Sequence, residues 1–188
     1  MPRPTLVVVS GPSGSGKTTL AHELARAIGC PAICRDEIKE GMVHAHGAFD
    51  RQIGDELTHA TLPVFFEVLE LLLKAHVTVV AEAAFQERLW RPGLDRLAPF
   101  CTIKIVHCIV DGPTAYTRRL ERAEGNAIHA IHMDAASIRA DPGAAQRHDD
   151  FVFPTFPGAP VIRVATRDGY EPTLAEIAAS LSGKNPQS

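Results

Sequence analysis

The sequence has no apolar stretch approaching the ~18 residues that a membrane-spanning helix needs, so we expect no membrane segment. The short apolar run near the N-terminus leads into a glycine-rich turn, which predicts a first strand rather than a signal peptide. The chain also has few cysteines and no Cys-x-x-Cys pair. This favours buried free thiols in a cytoplasmic protein over a disulfide framework. The cysteines are Cys30, Cys34, Cys101 and Cys108.

Basic runs are absent as well, and the formal net charge is −3. Nothing in this composition favours a nucleic-acid partner, although a basic groove formed by folding stays possible. The chain has no internal repeat and no linker. We therefore expect one domain over residues 1–182 and a tail at 183–188, with the oligomeric state left open.

The strongest pattern present is LVVVSGPSGSGKTTL at residues 6–20. It matches the Walker A motif in full, and the β-branched run before it and the amphipathic pattern after it supply the required strand and helix. The pattern therefore predicts a loop that binds a nucleoside triphosphate. Its predicted nucleotide-binding residues are Gly11, Ser13, Gly14, Ser15, Gly16, Lys17, Thr18 and Thr19.

The residue types explain the chemistry of this loop. Glycines let successive N–H groups point at phosphate oxygens, and the following helix adds its positive N-terminal end. Lys17 can reach the β- and γ-phosphates, and the hydroxyl of Thr18 can bind Mg²⁺. The chain lacks the DxxG and NKxD-like patterns of a GTPase and an ABC-type signature. ATP and Mg²⁺ are therefore the expected cofactors.

Hydrophobic periodicity predicts alternating strands and helices, and hence a parallel sheet covered on both faces. A helix over about 55–74 should be kinked or divided at Pro63, and one over 86–98 should be interrupted at Pro92-Gly93. We expect a helical lid at about 114–150, mobile or looped segments within 125–158, and a last helix beginning at Glu171-Pro172. The predicted strands are about 5–10, 31–34, 77–81, 103–110 and 161–165.

Asp36 is the candidate catalytic base. It follows a short predicted strand, at the sheet edge where open α/β folds bind ligands. Phosphoryl transfer to an alcohol uses a carboxylate that orients the hydroxyl and accepts its proton. The alternative is that Asp36 only caps the helix that follows.

Glu82 is the candidate acid beside the metal, because P-loop proteins place an acid at the end of a neighbouring strand. Asp111 also ends a predicted strand, but a helix-capping role explains it fully. Glu82 has no such explanation, and we assign it to metal or substrate binding; a solvated strand end is the alternative.

Arg118 and Arg122 lie four residues apart and leave one face of a predicted helix. Two guanidinium groups so placed suit a lid that closes on a triphosphate. An exposed face that pairs with nearby glutamates is the equal alternative.

The histidine pairs do not have the spacing of a structural zinc site. Surface positions are the default expectation for these side chains, and His132 is a candidate contact for substrate or nucleotide. The pairs are His44 with His46 and His129 with His132.

Taken in order, these segments resemble the small P-loop kinases related to polynucleotide kinase, chloramphenicol phosphotransferase and zeta toxin, often labelled AAA-type ATPase domain proteins. The matching segments are GPSGSGKTT, CRDEIKEG, VVAEAAF, RRLER with His132 downstream, and VIRVATRDGY. The resemblance implies a three-layer P-loop fold with a five-stranded parallel sheet of order 2-3-1-4-5.

The resemblance also implies residue roles. It places Asp36 at the base position, Arg35 and Lys39 on the substrate side, and Glu82 at the acid after the third strand. Arg118 and Arg122 take the lid positions, and residues 167–169 border the adenine. Several relatives have Asp where this chain has Glu82.

Three functions remain open at this point. The favoured one is an ATP-dependent kinase, with Asp36, Lys17, Arg118 and Arg122 as its catalytic residues and a small-molecule hydroxyl as acceptor. A kinase for the 5′-hydroxyl of a polynucleotide is permitted by the resemblance, but the acidic charge and the lack of basic residues interleaved with aromatic ones count against it. A nucleotide-dependent ATPase or regulator without an acceptor is the third.

Overall fold

The structure is a computed structural model, and it describes residues 2–46, 56–85, 87–125, 135–141 and 148–182. Five strands form one all-parallel sheet. They are β1 (Thr5–Ser10), β2 (Ala32–Cys34), β3 (Val79–Glu82), β4 (Thr102–Ile109) and β5 (Val161–Ala165). The order β2-β3-β1-β4-β5 confirms the predicted 2-3-1-4-5 arrangement.

Helices cover both faces of this sheet, as predicted. Within the described residues they are α1 (Lys17–Ile28), α2 (Arg35–His46), α3 (Glu56–Lys74), α4 (Glu87–Leu97), α5 (Gly112–Gly125), α6 (Ala135–Arg139) and α7 (Leu174–Ser182). No helix in these ranges is both long enough and apolar enough to cross a membrane.

The central strand β1 separates two apolar layers because its side chains alternate between the faces. Leu6 and Val8 face one layer with aromatic residues of α3 and α4, whereas Val7 and Val9 face the other with α1 and α7. β-branched residues suit such a strand, since they pack well on a pleated surface buried from both sides. The register aligns Val9 with Glu82, so both strands end beside the phosphate loop.

Neither helix is divided at its proline. Of the two outcomes expected at Pro63, a kink or a division, the division does not occur, since α3 runs through it as a single helix of 19 residues. The expected interruption at Pro92-Gly93 is wrong, because α4 continues past both residues. A Cβ atom built on Gly93 would overlap the ring of Phe66, so glycine there lets α4 pack closely on α3. Close packing rather than a break explains this glycine.

The last helix begins later than predicted, at Leu174. Glu171 instead pairs its backbone with Ala165 of β5. A capping box fixes the start of this helix. The Thr173 hydroxyl accepts a hydrogen bond from the N–H of Glu176, and the Glu176 carboxylate accepts one from the N–H of Thr173.

Candidate active site

The phosphate loop connects β1 to α1 by backbone geometry that only glycine adopts readily. Gly14 has φ +84° and Gly16 has φ +76°, both in the left-handed region. Gly16 is the residue at the N-terminal cap of α1, and no side chain caps that end. The first N–H groups of the helix therefore stay available to an anion.

Close packing imposes a second requirement on the loop glycines. A Cβ atom on Gly14 would overlap the carbonyl of Ala115 in α5. A Cβ atom on Gly11 would lie 2.5 Å from the Ser15 hydroxyl and 2.8 Å from the Cys108 carbonyl oxygen. The loop is thus held against α5 and β4 at positions where any larger residue would displace it.

Thr166, just after β5, fixes the loop from the other side. Its buried hydroxyl donates to the carbonyl of Ser15 at 2.7 Å. No sequence pattern assigned a role to this residue. The sequence did hold one indication of its importance, since this threonine directly follows a predicted strand within a segment that resembles the family. Nothing in the sequence, however, pairs residue 166 with residue 15.

Lys17, Thr18 and Glu82 form the polar centre beneath the loop. The Thr18 hydroxyl donates to Glu82 Oε2 at 3.1 Å, and Lys17 Nζ lies 3.8 Å from Glu82 Oε1. Glu82 is 1% exposed and Lys17 is 8% exposed. Burial raises the pKa of Glu82, while the charge of Lys17 opposes that rise. The fold therefore brings the carboxyl group of Glu82, the ammonium group of Lys17 and the hydroxyl of Thr18 together in a site of low dielectric.

Asp111 has the capping role that the sequence analysis gave it. It precedes α5 and accepts hydrogen bonds from the N–H and the hydroxyl of Thr114, each at 2.9 Å. The Thr114 N–H, followed by its hydroxyl, lowers the pKa of Asp111. Because these bonds account for Asp111, Glu82 is the strand-end acid beside Lys17 and Thr18.

Asp36 lies in the first turn of α2, where it follows β2 at the same end of the sheet. Its side chain is half exposed and accepts from Arg35 Nη1 at 3.1 Å. The negative charge of Asp36 also raises the pKa of Glu82. Because Cys34 at the end of β2 pairs in register with Glu82, Asp36 follows at the strand end that carries this acid, and its carboxylate still reaches solvent.

Two cations of α2 contact the same residue of α3. Arg35 donates through Nη2 to the Thr58 carbonyl at 3.0 Å, and Lys39 donates through Nζ to the Thr58 hydroxyl at 2.8 Å. Lys39 is 6% exposed. Both residues were expected on the substrate side, and here they join α2 to the start of α3.

The two arginines predicted to lie in a lid, Arg118 and Arg122, have different surroundings. Arg118 donates through Nη2 to the carbonyls of Thr166 and Arg167, at 2.7 and 2.9 Å. Its other amine lies 3.7 Å from the Cβ position of Gly16, so Arg118 borders the phosphate loop. Arg122 is exposed one turn further along α5.

The expected contact by His132 lies outside the described residues, as does His129. The predicted lid at 114–150 is described only in part. Within it, α5 is followed by α6, and an ion pair joins Arg139 to Glu124. The short helix α6 falls in a range for which the sequence analysis expected a mobile or looped segment.

The donor set suits a triphosphate with Mg²⁺. The uncapped first turn of α1 and the ammonium of Lys17 match phosphate oxygens, and the oxygen ligands at Thr18 and Glu82 match a hard cation. The buried hydroxyl of Ser15 has no partner among the described residues, so it stays available as a further donor at this loop.

Comparison with protein families identifies the family of this chain. Residues 6–140 match the AAA domain family, so the chain is a member of it. The matched range contains the phosphate loop, Asp36, Glu82, Arg118 and Arg122. None of the curated proteins matches the chain.

Solved structures show the same fold. A candidate kinase from Chloroflexus aurantiacus is similar at TM-score 0.83 and 23% identity, covering 98% of this chain and 100% of that one. A sugar kinase from Janibacter is similar at 0.62 and 20%, covering 98% and 97%. The APS kinase of Mycobacterium tuberculosis, solved with AMPPNP and APS, is similar at 0.57 and 18%, covering 98% of each chain. At these identities the likeness establishes a P-loop kinase fold.

Proposed function

We propose that this protein is an ATP- and Mg²⁺-dependent phosphotransferase that moves the γ-phosphate to a hydroxyl of a small molecule. The observation that carries the proposal is the placement of Asp36. It follows β2, whose last residue, Cys34, pairs in register with Glu82, and Glu82 contacts both Lys17 and Thr18 of the phosphate loop. A half-exposed carboxylate beside a phosphate loop matches the needs of transfer to an alcohol.

Each residue then has a defined task. Loop N–H groups and Lys17 hold the phosphates of ATP, and Thr18 and Glu82 hold Mg²⁺, which neutralises phosphate charge when bound. Asp36 orients the acceptor hydroxyl and takes its proton as the hydroxyl oxygen bonds to the γ-phosphorus. The bond from that phosphorus to the bridging oxygen breaks, and ADP leaves. Arg118 borders the loop at the nucleotide and stabilises the charge that develops there.

The comparisons support a small acceptor. One similar structure is described as a sugar kinase, and the APS kinase was solved with APS bound, so both are associated with small molecules. Each matches nearly the whole chain. The net charge of −3 gives no electrostatic attraction for a polynucleotide.

A hydroxyl-compound library with ATP and Mg²⁺ tests this function. We expect ADP release that depends on one class of hydroxyl compound and a phosphorylated product detectable by mass spectrometry. Steady ATP hydrolysis that no compound stimulates would instead support an ATPase or regulator. Transfer confined to 5′-hydroxyl oligonucleotides, with affinity falling steeply as salt is added, would support a polynucleotide kinase.

A further inference from the structure

A second cluster of chemistry-bearing side chains lies one helical turn from the phosphate loop and has no part in the proposed transfer. His22 is on α1, Cys34 ends β2 and Glu37 is in the first turn of α2. Their ligand-type atoms all lie within 4.8 Å of one another. We propose that His22, Cys34 and Glu37 form a three-ligand site for a thiophilic divalent cation of the zinc class, with water at a fourth position.

The donor atoms converge on one point. His22 Nε2 lies 3.6 Å from Cys34 Sγ and 2.6 Å from Glu37 Oε1. The same ring nitrogen therefore faces both the thiol and the carboxylate. A Cys-His-acid relay for nucleophilic catalysis would instead need the acid on the other ring nitrogen. The shared nitrogen favours metal coordination over a catalytic triad.

The separation between His22 and Cys34 matches tetrahedral zinc. Zinc bonds of about 2.0 Å to nitrogen and about 2.3 Å to sulfur place those two ligands about 3.5 Å apart. His22 and Cys34 already have this separation. Glu37 must retreat from His22 by under about 1 Å to accept an ion between them. Its side chain is 47% exposed, so there is solvent on one side into which it can move.

The donor groups suit a cation, because Glu37 supplies a carboxylate oxygen and Cys34 supplies a sulfur 3.6 Å from the ring nitrogen of His22. Binding forms the zinc–sulfur bond as the thiol proton leaves to solvent, because the thiolate is the ligand.

The chemistry of the donors separates this site from the expected magnesium site. Nitrogen and sulfur ligands select zinc-class metals, whereas Thr18 and Glu82 offer the oxygen atoms that Mg²⁺ prefers. An ion here would connect α1, which begins at Lys17, to the β2–α2 junction, which carries Asp36. It would thereby fix the distance between the phosphate loop and the proposed base.

Metal titration of the nucleotide-free protein in excess Mg²⁺ tests the site. Calorimetry with Zn²⁺ should give one bound equivalent, and the Co²⁺-loaded protein should show a sulfur-to-cobalt charge-transfer band. Cys34→Ser should remove that band and weaken Zn²⁺ binding about 100-fold or more. His22→Gln and Glu37→Gln, at partly exposed positions that tolerate substitution, should each weaken binding at least about 10-fold.

Matched controls separate this site from general thiol or imidazole binding. Cys30→Ser removes a half-buried thiol outside the cluster, and His44→Gln removes an exposed histidine on α2. Both should bind Zn²⁺ like the unmodified protein. Absence of Zn²⁺ binding, or wild-type binding by any one of the three cluster variants, would overturn the assignment. The assay contains no nucleotide, so its outcome is independent of the proposed kinase activity.

Discussion

In the phosphate loop at residues 11–19 the backbone supplies the shape, and two glycines in left-handed conformation let it lie against neighbouring elements. At residues 35–39 together with Thr58, the proposed acceptor side, side chains supply the shape through hydrogen bonds of 3.0 and 2.8 Å between α2 and α3. The first region presents N–H groups that suit any triphosphate. The second presents side chains, so under the proposed function a substitution there can change the choice of substrate while nucleotide binding stays the same.

Replacing Gly14 perturbs the phosphate loop, whose shape the backbone supplies, and should have the largest effect on ATP binding. Gly14→Ala places a Cβ atom against the Ala115 carbonyl in addition to straining the backbone, so we expect ATP binding to be lost. Gly29→Ala is a matched control, because Gly29 has φ +81° but nothing within 4 Å of its Cβ position. It should lose about 1 kcal/mol of unfolding free energy and keep ATP affinity. Equal ATP affinities by calorimetry would contradict this view of the loop.

Glu82→Gln keeps the size of the side chain but removes its charge. We expect Mg²⁺ affinity in the presence of ATP to fall about 10- to 100-fold, because the remaining oxygen ligand carries no charge. Activity measured across a Mg²⁺ titration gives this shift. Asp111→Asn, the other strand-end acid, should leave the titration unchanged. If the two variants behave alike, the metal role assigned to Glu82 is wrong.

Thr58→Val perturbs only the second region, residues 35–39 with Thr58, whose shape side chains supply. It removes one acceptor of the buried Lys39 ammonium, and we expect a loss of about 1–3 kcal/mol in unfolding free energy. KM for the acceptor should rise while ATP affinity stays constant. Thr58→Ser keeps the hydroxyl and should behave like the unmodified protein in denaturant unfolding and in kinetics. A rise in KM for ATP instead would show that the two sides are not separable.

Asp111→Ala should have the smallest effect, a loss of thermal stability at neutral pH through loss of the α5 cap. The folded-state pKa of Asp111 is lowered, so its contribution is present above its ordinary pKa of 3.8 and disappears as pH falls through the folded value. The difference in Tm between the two proteins should therefore shrink in acid. Asp111→Asn retains an acceptor and should show a smaller loss at neutral pH. A difference in Tm that does not vary with pH would contradict the capping assignment.

Local patterns predicted the fold well, because the strands are continuous β-branched runs and the glycine spacing of the loop is specific. The resemblance supplied the strand order. Predictions failed where distant residues decide the outcome. Pro92 and Gly93 read as a helix break, but packing of Gly93 on Phe66 keeps α4 continuous.

The residues of the candidate site likewise fall into those that local sequence patterns predicted and those that they did not. Lys17, Thr18 and Glu82 were found from motif and strand-end position, and the structure brings them together. Thr166 and Thr58 were missed, since their roles depend on partners far away in the sequence. The convergence of His22, Cys34 and Glu37 likewise depends on how α1 packs beside β2, which no local spacing encodes.

The most direct test of the proposed mechanism compares Asp36→Asn with the unmodified protein in two assays, turnover with a responsive acceptor and calorimetric ATP affinity. Removing a general base predicts a fall in kcat of about 100- to 10,000-fold with ATP affinity unchanged. Normal turnover by this variant would contradict the assignment of Asp36 as the base and leave the chain a nucleotide-binding protein of the same fold.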